Sequence, residues 1–188
     1  MTKISNFSAL ILAGGQSSRM GQDKALLQLN GKSLLAHMQQ LALDSGAAEV
    51  LISRNQPGCI ADAKSAQAQG PLAGILAALQ HCSSGQLLVL PIDTPLLNPA
   101  SLRQLLQQAN GSASYFSDSP LPCVLPVNTA LSALISAQLQ SGQRSVKTLL
   151  SSLNAVALRA PTTELLNTNT PTDWQQCLAL VNHGSLYA

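Results

Sequence analysis

Aromatic residues are scarce in this chain. Two Phe, two Tyr and one Trp make up 3% of its 188 residues, whereas 46% is hydrophobic. A core of that composition must be packed from Leu, Ala, Val and Ile, which suits a parallel sheet covered by Leu/Ala-rich helices. Charge is scarce too: Asp, Glu, Lys and Arg together are 10%, with a formal net charge of +2. No run of Lys or Arg is long enough to follow a phosphate backbone, so nucleic acid is not the expected partner and a small molecule is. No apolar run approaches the ~20 residues that span a bilayer, and Met1 to Phe7 is polar with no signal-peptide h-region. The chain therefore reads as soluble and cytoplasmic, with no membrane partner.

Clustered metal or redox ligands are missing as well. Cys59, Cys82, Cys123 and Cys177 lie far apart with no C-x-x-C pair, against both a zinc site and a secreted disulfide framework. They read as buried or idle thiols. His37, His81 and His183 are equally scattered and read as structural or solvent-facing.

What is there is an alternation of strands and helices. Ser8 to Leu12 is a short apolar run that ends at Ala13-Gly14-Gly15, a buried strand feeding a glycine-rich loop that extends to about Lys24. Helical spacing from Ser33 to Leu43 follows, with Ser33 able to cap its start. A second strand spans Glu49 to Ser53, a helix opens at Gly70-Pro71 and runs to about His81, a third strand spans Gln86 to Leu90, and Pro99 to Gln108 is helical. The second half is less regular. It reads as a short strand at Ala113 to Phe116, a Pro-rich turn from Ser119 to Pro122 and a strand near Cys123 to Val127. Helices at Leu131 to Gln140 and Ser145 to Ser152, a strand near Ala155 to Leu158 and a helix from Pro171 to Leu180 complete it. The alternation predicts an α/β fold with a mainly parallel sheet. A chain of this length with no internal repeat or linker fits a single domain over residues 1–188.

Ligands of open α/β sheets bind beyond the carboxyl ends of the strands, and two motifs sit there. Leu12 to Lys24 combines Gly14, Gly15 and Gly21 with Arg19 and Lys24. Glycines let backbone amides approach phosphate oxygens, and fixed cations offset charge that builds during phosphoryl chemistry. The loop is neither of the two better-known phosphate loops. Gly14-Gly15 lacks the intervening residue of G-x-G-x-x-G, and Walker A fails because the spacing is wrong and Ala25 stands where a magnesium-binding hydroxyl belongs. The second motif, Pro91-Ile92-Asp93-Thr94-Pro95, sets one carboxylate just past the third strand. Magnesium typically takes one or two carboxylates, with water and substrate phosphate completing its shell.

These motifs carry a resemblance. Leu12 to Lys24 resembles the L-A-G-G-x-S-x-R-M-G-x-D-K signature of molybdenum cofactor guanylyltransferases. Gly70 to Ile75, Asp93-Thr94-Pro95 and Asn167-Thr168-Asn169-Thr170-Pro171 resemble that family's later motifs, in order over almost the whole chain. The resemblance implies a Rossmann-like nucleotidyltransferase fold, similar to nucleotide-diphospho-sugar transferases: a three-layer sandwich around a mainly parallel mixed sheet. It implies a GTP-binding half at 1–110 and an acceptor-side half at 111–188. Leu12, Ala13, Gly14 and Gly15 would then contact GTP, Lys24 and Arg19 would face its phosphates, Asn55 would serve the ribose and Asp62 the guanine. Asp93 would hold Mg2+. Arg144, Asn167 and Asn169 would meet the acceptor, molybdopterin, and cofactor-delivery proteins and molybdoenzymes would be further partners. Leu121-Pro122 departs from the family's usual His-Pro.

The implied reaction is magnesium-dependent transfer of GMP from GTP to the terminal phosphate of molybdopterin, by in-line displacement with loss of pyrophosphate. Alternatives within the same fold are a molybdopterin cytidylyltransferase and a sugar-phosphate nucleotidyltransferase, relatives that usually show L-A-A-G where this chain has Leu12-Ala13-Gly14-Gly15. An alternative of another class is a nucleotide-binding regulator without activity. The presence of both Lys24 and Asp93 speaks against it.

Overall fold

The computed structural model describes residues 6–14, 23–60, 70–160 and 163–182. Strands β1 (Phe7–Leu12), β4 (Glu49–Ser53), β5 (Gln86–Pro91), β6 (Ser114–Phe116), β7 (Ser119–Pro126) and β8 (Val156–Leu158) form one sheet in the order β4-β1-β5-β7-β6-β8. β4, β1 and β5 are parallel; β7 runs against both β5 and β6; β8 is parallel to β6. The sheet is therefore mixed, with β4, β1 and β5 forming a parallel unit at one end. Chain order reverses about β1, which has β4 on one side and β5 on the other, so the crevice expected of an open α/β sheet lies beyond Leu12 and Pro91.

Side chains of a strand alternate between faces, and here both faces are apolar. Ala9, Ile11, Leu88, Leu90 and Val124 point to one core with α1 (Leu34–Asp44), α3 (Pro99–Ala109) and α6 (Pro171–Asn182). Leu10, Leu87, Val89, Cys123 and Leu125 point to the other with α2 (Pro71–Leu79), α4 (Thr129–Gln140) and α5 (Val146–Ser152). The result is a helix, sheet, helix sandwich. Each fully buried Leu contributes about 1.5–3 kcal/mol, so the near absence of aromatics is no handicap. The helices start where their caps put them: Ser33, Asn98, Asn128 and Ser145 each accept a backbone N–H from the first turn.

Gly74 is fixed by packing. A Cβ there would lie 2.5 Å from Ser53 Oγ and 3.1 Å from Leu12 Cδ2, so a larger residue would have to turn the Ser53 hydroxyl aside or move α2 away from β1 and β4.

Two expectations change. The segment from Ser119 to Pro122 is not a turn before a strand but the first half of β7. Its register explains how a strand between two neighbours tolerates proline. Cys123 pairs with Tyr115 and Ser119 with Phe116, so Pro120, Leu121 and Pro122 fall in the irregularity between those pairs, where no ladder donor is required. Before α1, the chain also forms a 3-10 turn (Lys24–Leu26) and a small hairpin of β2 (Gln28–Leu29) and β3 (Lys32–Ser33). Asn30 and Gly31, with φ of 50° and 74°, make the two-residue bend that such hairpins prefer. Among the described residues, no helix is long and apolar enough to cross a membrane.

Candidate active site

β1 ends beside its neighbours rather than fraying. Ala13 N donates to Ser53 O at 2.9 Å and Ile92 N donates to Leu12 O at 3.2 Å, so the backbone of Leu12, Ala13 and Gly14 leaves the sheet from a fixed position. Gly15, Arg19 and Asp62 lie outside the described residues. Asn55 is described, on the exposed bend two residues past β4.

Asp93 follows β5 by two residues, and its turn is held from several sides. Thr168 donates to Asp93 O twice, from its backbone N at 2.8 Å and its Oγ1 at 3.1 Å. Thr94 Oγ1 donates to Pro91 O at 3.3 Å. His37, on α1, brings Nε2 within 2.8 Å of Pro95 O. A carbonyl only accepts, so that nitrogen carries the proton. The neighbouring sequence Asn167-Thr168-Asn169 is thereby laid across the end of β5.

Lys24 reaches into this cluster from the 3-10 turn. Its Nζ donates to Asn169 Oδ1 at 2.7 Å and stands 3.8 Å from Asp93 Oδ2. Its side chain is only 14% exposed and that of Asp93 25%. Burial raises the Asp93 pKa above the ordinary carboxylate value, and the Lys24 charge and a backbone hydrogen bond draw it back only in part. Asn169 is itself anchored. Its backbone N donates to Asp173 Oδ2 at 3.2 Å, and Thr170 and Asp173 cap α6 reciprocally, at 2.8 Å and 3.2 Å. Asp173 sits below its ordinary pKa, chiefly through its hydrogen bond from the Thr170 side chain.

The side-chain amide of Asn167 lies against the Asp93 carboxylate. With its nitrogen turned inward it donates to both oxygens, at 2.9 Å and 3.1 Å. The one carboxylate here, Asp93, is the kind of oxygen ligand that a hard cation such as magnesium takes, with water and phosphate oxygens completing its shell; among the described residues, no group of three or more His, Cys, Asp and Glu side chains is placed to hold a metal.

The geometry thus unites Lys24, Asp93, Asn167 and Asn169. Arg144 stands instead on the exposed turn between α4 and α5. Asp23, the acidic residue that precedes Lys24 in the loop motif, is paired as a loop carboxylate there would be, but its partner Arg54 lies 31 positions away and no local pattern links the two. The Asp173 cap was legible as Thr170-x-x-Asp173. Cys59, Cys82, Cys123 and Cys177 are all free thiols, and burial pushes Cys123 to about 12 and Cys177 to about 11.

Known proteins share this architecture. The family described as MobA-like NTP transferase domain matches residues 9–156. A molybdenum cofactor guanylyltransferase of Xanthomonas euvesicatoria is 36% identical over 186 residues, covering 95% of this chain and 97% of that one. Among solved structures, molybdopterin-guanine dinucleotide biosynthesis protein A from Archaeoglobus fulgidus superposes with a TM-score of 0.71 at 20% identity, over 94% of this chain and 99% of that one. 2-C-methyl-D-erythritol 4-phosphate cytidylyltransferase from Thermus thermophilus does so at 0.72 and 19% identity, over 94% and 99%. The last two show a shared nucleotidyltransferase fold. That fold carries enzymes for different nucleotides, so the base must be read from the site.

Proposed function

The chain belongs to the family of MobA-like NTP transferase domains, and from that premise we propose that it transfers GMP from GTP to the terminal phosphate of molybdopterin. An oxygen of the acceptor phosphate bonds to the α-phosphorus of GTP. The bond from that phosphorus to the bridging oxygen breaks, and the electron pair leaves on pyrophosphate. The phosphate nucleophile is already anionic at neutral pH, so no general base is required. Catalysis then rests on position and charge, which the cluster around Lys24 supplies.

The observation that carries this reading is the convergence of Lys24 with Asp93 and Asn169 beyond β1 and β5, in a chain whose full-length relatives bear the guanylyltransferase name. Lys24 and Arg19 would oppose the phosphate charge. The backbone of Leu12, Ala13, Gly14 and Gly15 would cradle the nucleotide, Asn55 would serve the ribose, and Asp62 would accept from the guanine ring N–H and amine together. Asn167, Asn169 and Arg144 would orient the acceptor. Magnesium, held by Asp93 with water and phosphate oxygens, would neutralise charge on the triphosphate. We place the reaction in the cytoplasm, where delivery proteins would supply molybdopterin and molybdoenzymes would take the product.

The test is a titration of GTP, CTP and ATP in magnesium, followed by mass analysis of the product formed with molybdopterin. GTP should bind at least about tenfold more tightly, because other bases leave the Asp62 carboxylate with unmatched hydrogen bonds. Equal affinity for all three, or a CMP adduct, would overturn the guanine assignment.

A further inference from the structure

Arg54, the first residue past β4, is 8% exposed. A guanidinium that far from water must have its charge met by the protein. It is met by Asp23, whose Oδ2 accepts from Arg54 Nη2. The other oxygen of the same carboxylate is also committed: Oδ1 accepts from Ala25 N at 3.0 Å and caps the 3-10 turn that begins at Lys24. Lys24 in turn spans to Asn169 and Asp93. One carboxylate thus joins the end of β4 to the turn that carries the site's cation.

The Arg54 end of this link is rigid. Its backbone N donates to Ile60 O at 3.0 Å and its carbonyl accepts from Gln56 N at 2.8 Å, while Ser53 O, one residue before, holds Ala13 N. The Lys24 end is short: the turn has three residues, with Leu27 N closing onto Lys24 O at 3.1 Å. Without an external tie, a turn of that size and a side chain with four rotatable bonds have many placements. Asp23 is 40% exposed on its side chain and Arg54 is nearly covered, so the pair is an anchor with a buried foot.

We propose that Asp23 and Arg54 are positioning residues that set where the Lys24 ammonium stands against the reacting phosphates, without touching substrate themselves. The proposal rests on the reading of Lys24 as the phosphate-facing cation. A displacement of about 1 Å at a catalytic group can lower a rate by about 100-fold, so loss of the pair should appear in kcat rather than in the affinity for GTP.

The two functions of Asp23 separate by substitution. Asp23→Asn keeps an acceptor for Ala25 N and removes the charge that faces Arg54. Arg54→Gln removes the other charge, and Arg54→Lys keeps it without the planar fork. GMP transfer is measured with GTP, molybdopterin and magnesium, alongside thermal melting. Asp23→Asn and Arg54→Gln should each lower kcat by about 10-fold or more, with the KM for GTP within about threefold of wild type. The double variant should be no slower than the slower single, and Arg54→Lys should recover part of the rate. In a Lys24→Ala enzyme, Arg54→Gln should have no further effect on kcat.

Equal and additive losses from Arg54→Gln with and without Lys24 would overturn the positioning role, as would a folded Arg54→Gln enzyme at the wild-type rate. A rise confined to the KM for GTP would make Arg54 a substrate contact and overturn it too. If Arg54→Gln melts below the assay temperature, Asp23→Asn, whose cap is retained, carries the same comparison in the Lys24→Ala background. A Lys24→Ala enzyme at the wild-type rate would instead overturn the reading of the site and the positioning role with it.

Discussion

Glu49 and Asp93 stand at opposite ends of the same sheet and are perturbed in opposite directions. Glu49 begins β4, where its Oε1 accepts from Ser8 Oγ at 2.5 Å, Ser83 N at 2.7 Å and Ser83 Oγ at 2.7 Å. Those donors favour the charged form, the Ser8 hydroxyl most, and hold the Glu49 pKa below its ordinary value. Asp93 lies past β5, where burial raises its pKa and Lys24 at 3.8 Å offsets the rise only in part. Glu49 is satisfied by three neutral donors; Asp93 is drawn from water and faces the Lys24 cation and the Asn167 amide. The end of a strand therefore does not make a site by itself; a half-buried carboxylate set beside a cation is what distinguishes the Asp93 end.

Substitutions at the two carboxylates separate the poles. The largest effect should come from Asp93→Asn, which keeps the shape and removes the charge. GMP transfer should fall on the order of 1,000-fold, equivalent to about 4 kcal/mol of transition-state stabilisation, while GTP binding measured without magnesium stays close to wild type. Pyrophosphate release with and without metal is the measurement. A variant that transfers GMP at the normal rate and magnesium concentration would place the metal elsewhere and dissolve the contrast with Glu49.

Lys24→Ala comes next. Removing one preorganised cation commonly costs about 3 kcal/mol in the transition state, so turnover should fall by about 100-fold in a folded enzyme. Lys24 also draws down the Asp93 pKa, so its loss sharpens the comparison by leaving Asp93 with still less compensation. A folded variant at nearly wild-type turnover would reduce Lys24 to a surface cation, at odds with a side chain only 14% exposed.

Lys24 and Asp93 are legible in the sequence because their signal is local: a glycine loop after one apolar strand and a carboxylate after another. Most helices and strands are legible for the same reason, since Ser33, Pro71 and Pro99 mark helix starts wherever the chain goes next. What stays hidden depends on partners far along the chain. Proline reads as a breaker from residue to residue, and only the register of β7 against β6 reveals that Pro120 and Pro122 fall where no donor is needed. Asn167 and Asn169 can be matched to an acceptor-side motif, but their contacts with Asp93 and Lys24 span 74 and 145 positions. Asp23 looks like a loop residue. Its two oxygens gain separate tasks only once β4 brings Arg54 beside it.

The smallest effect, and the sharpest control for the comparison, belongs to Glu49→Gln. The amide oxygen can still accept from Ser8 and Ser83, but as a neutral acceptor it loses the charge-assisted part of those bonds. Solvent reaches this end of the sheet, so the loss should be about 1 kcal/mol at neutral pH, a fall of about 2–4 °C in melting temperature, with kcat unchanged. The pH dependence identifies the cause. A carboxylate whose pKa is lowered by folding contributes stability that is fully present above its unfolded value of about 4.3 and is lost as pH falls through the lower folded value. Melting curves of wild type and Glu49→Gln should therefore differ at neutral pH and converge in acid. A gap that stays constant across that range would mean the glutamine repacks badly and that the charge on Glu49 contributes nothing. A loss of kcat at neutral pH would mean that the two ends of the sheet are not independent.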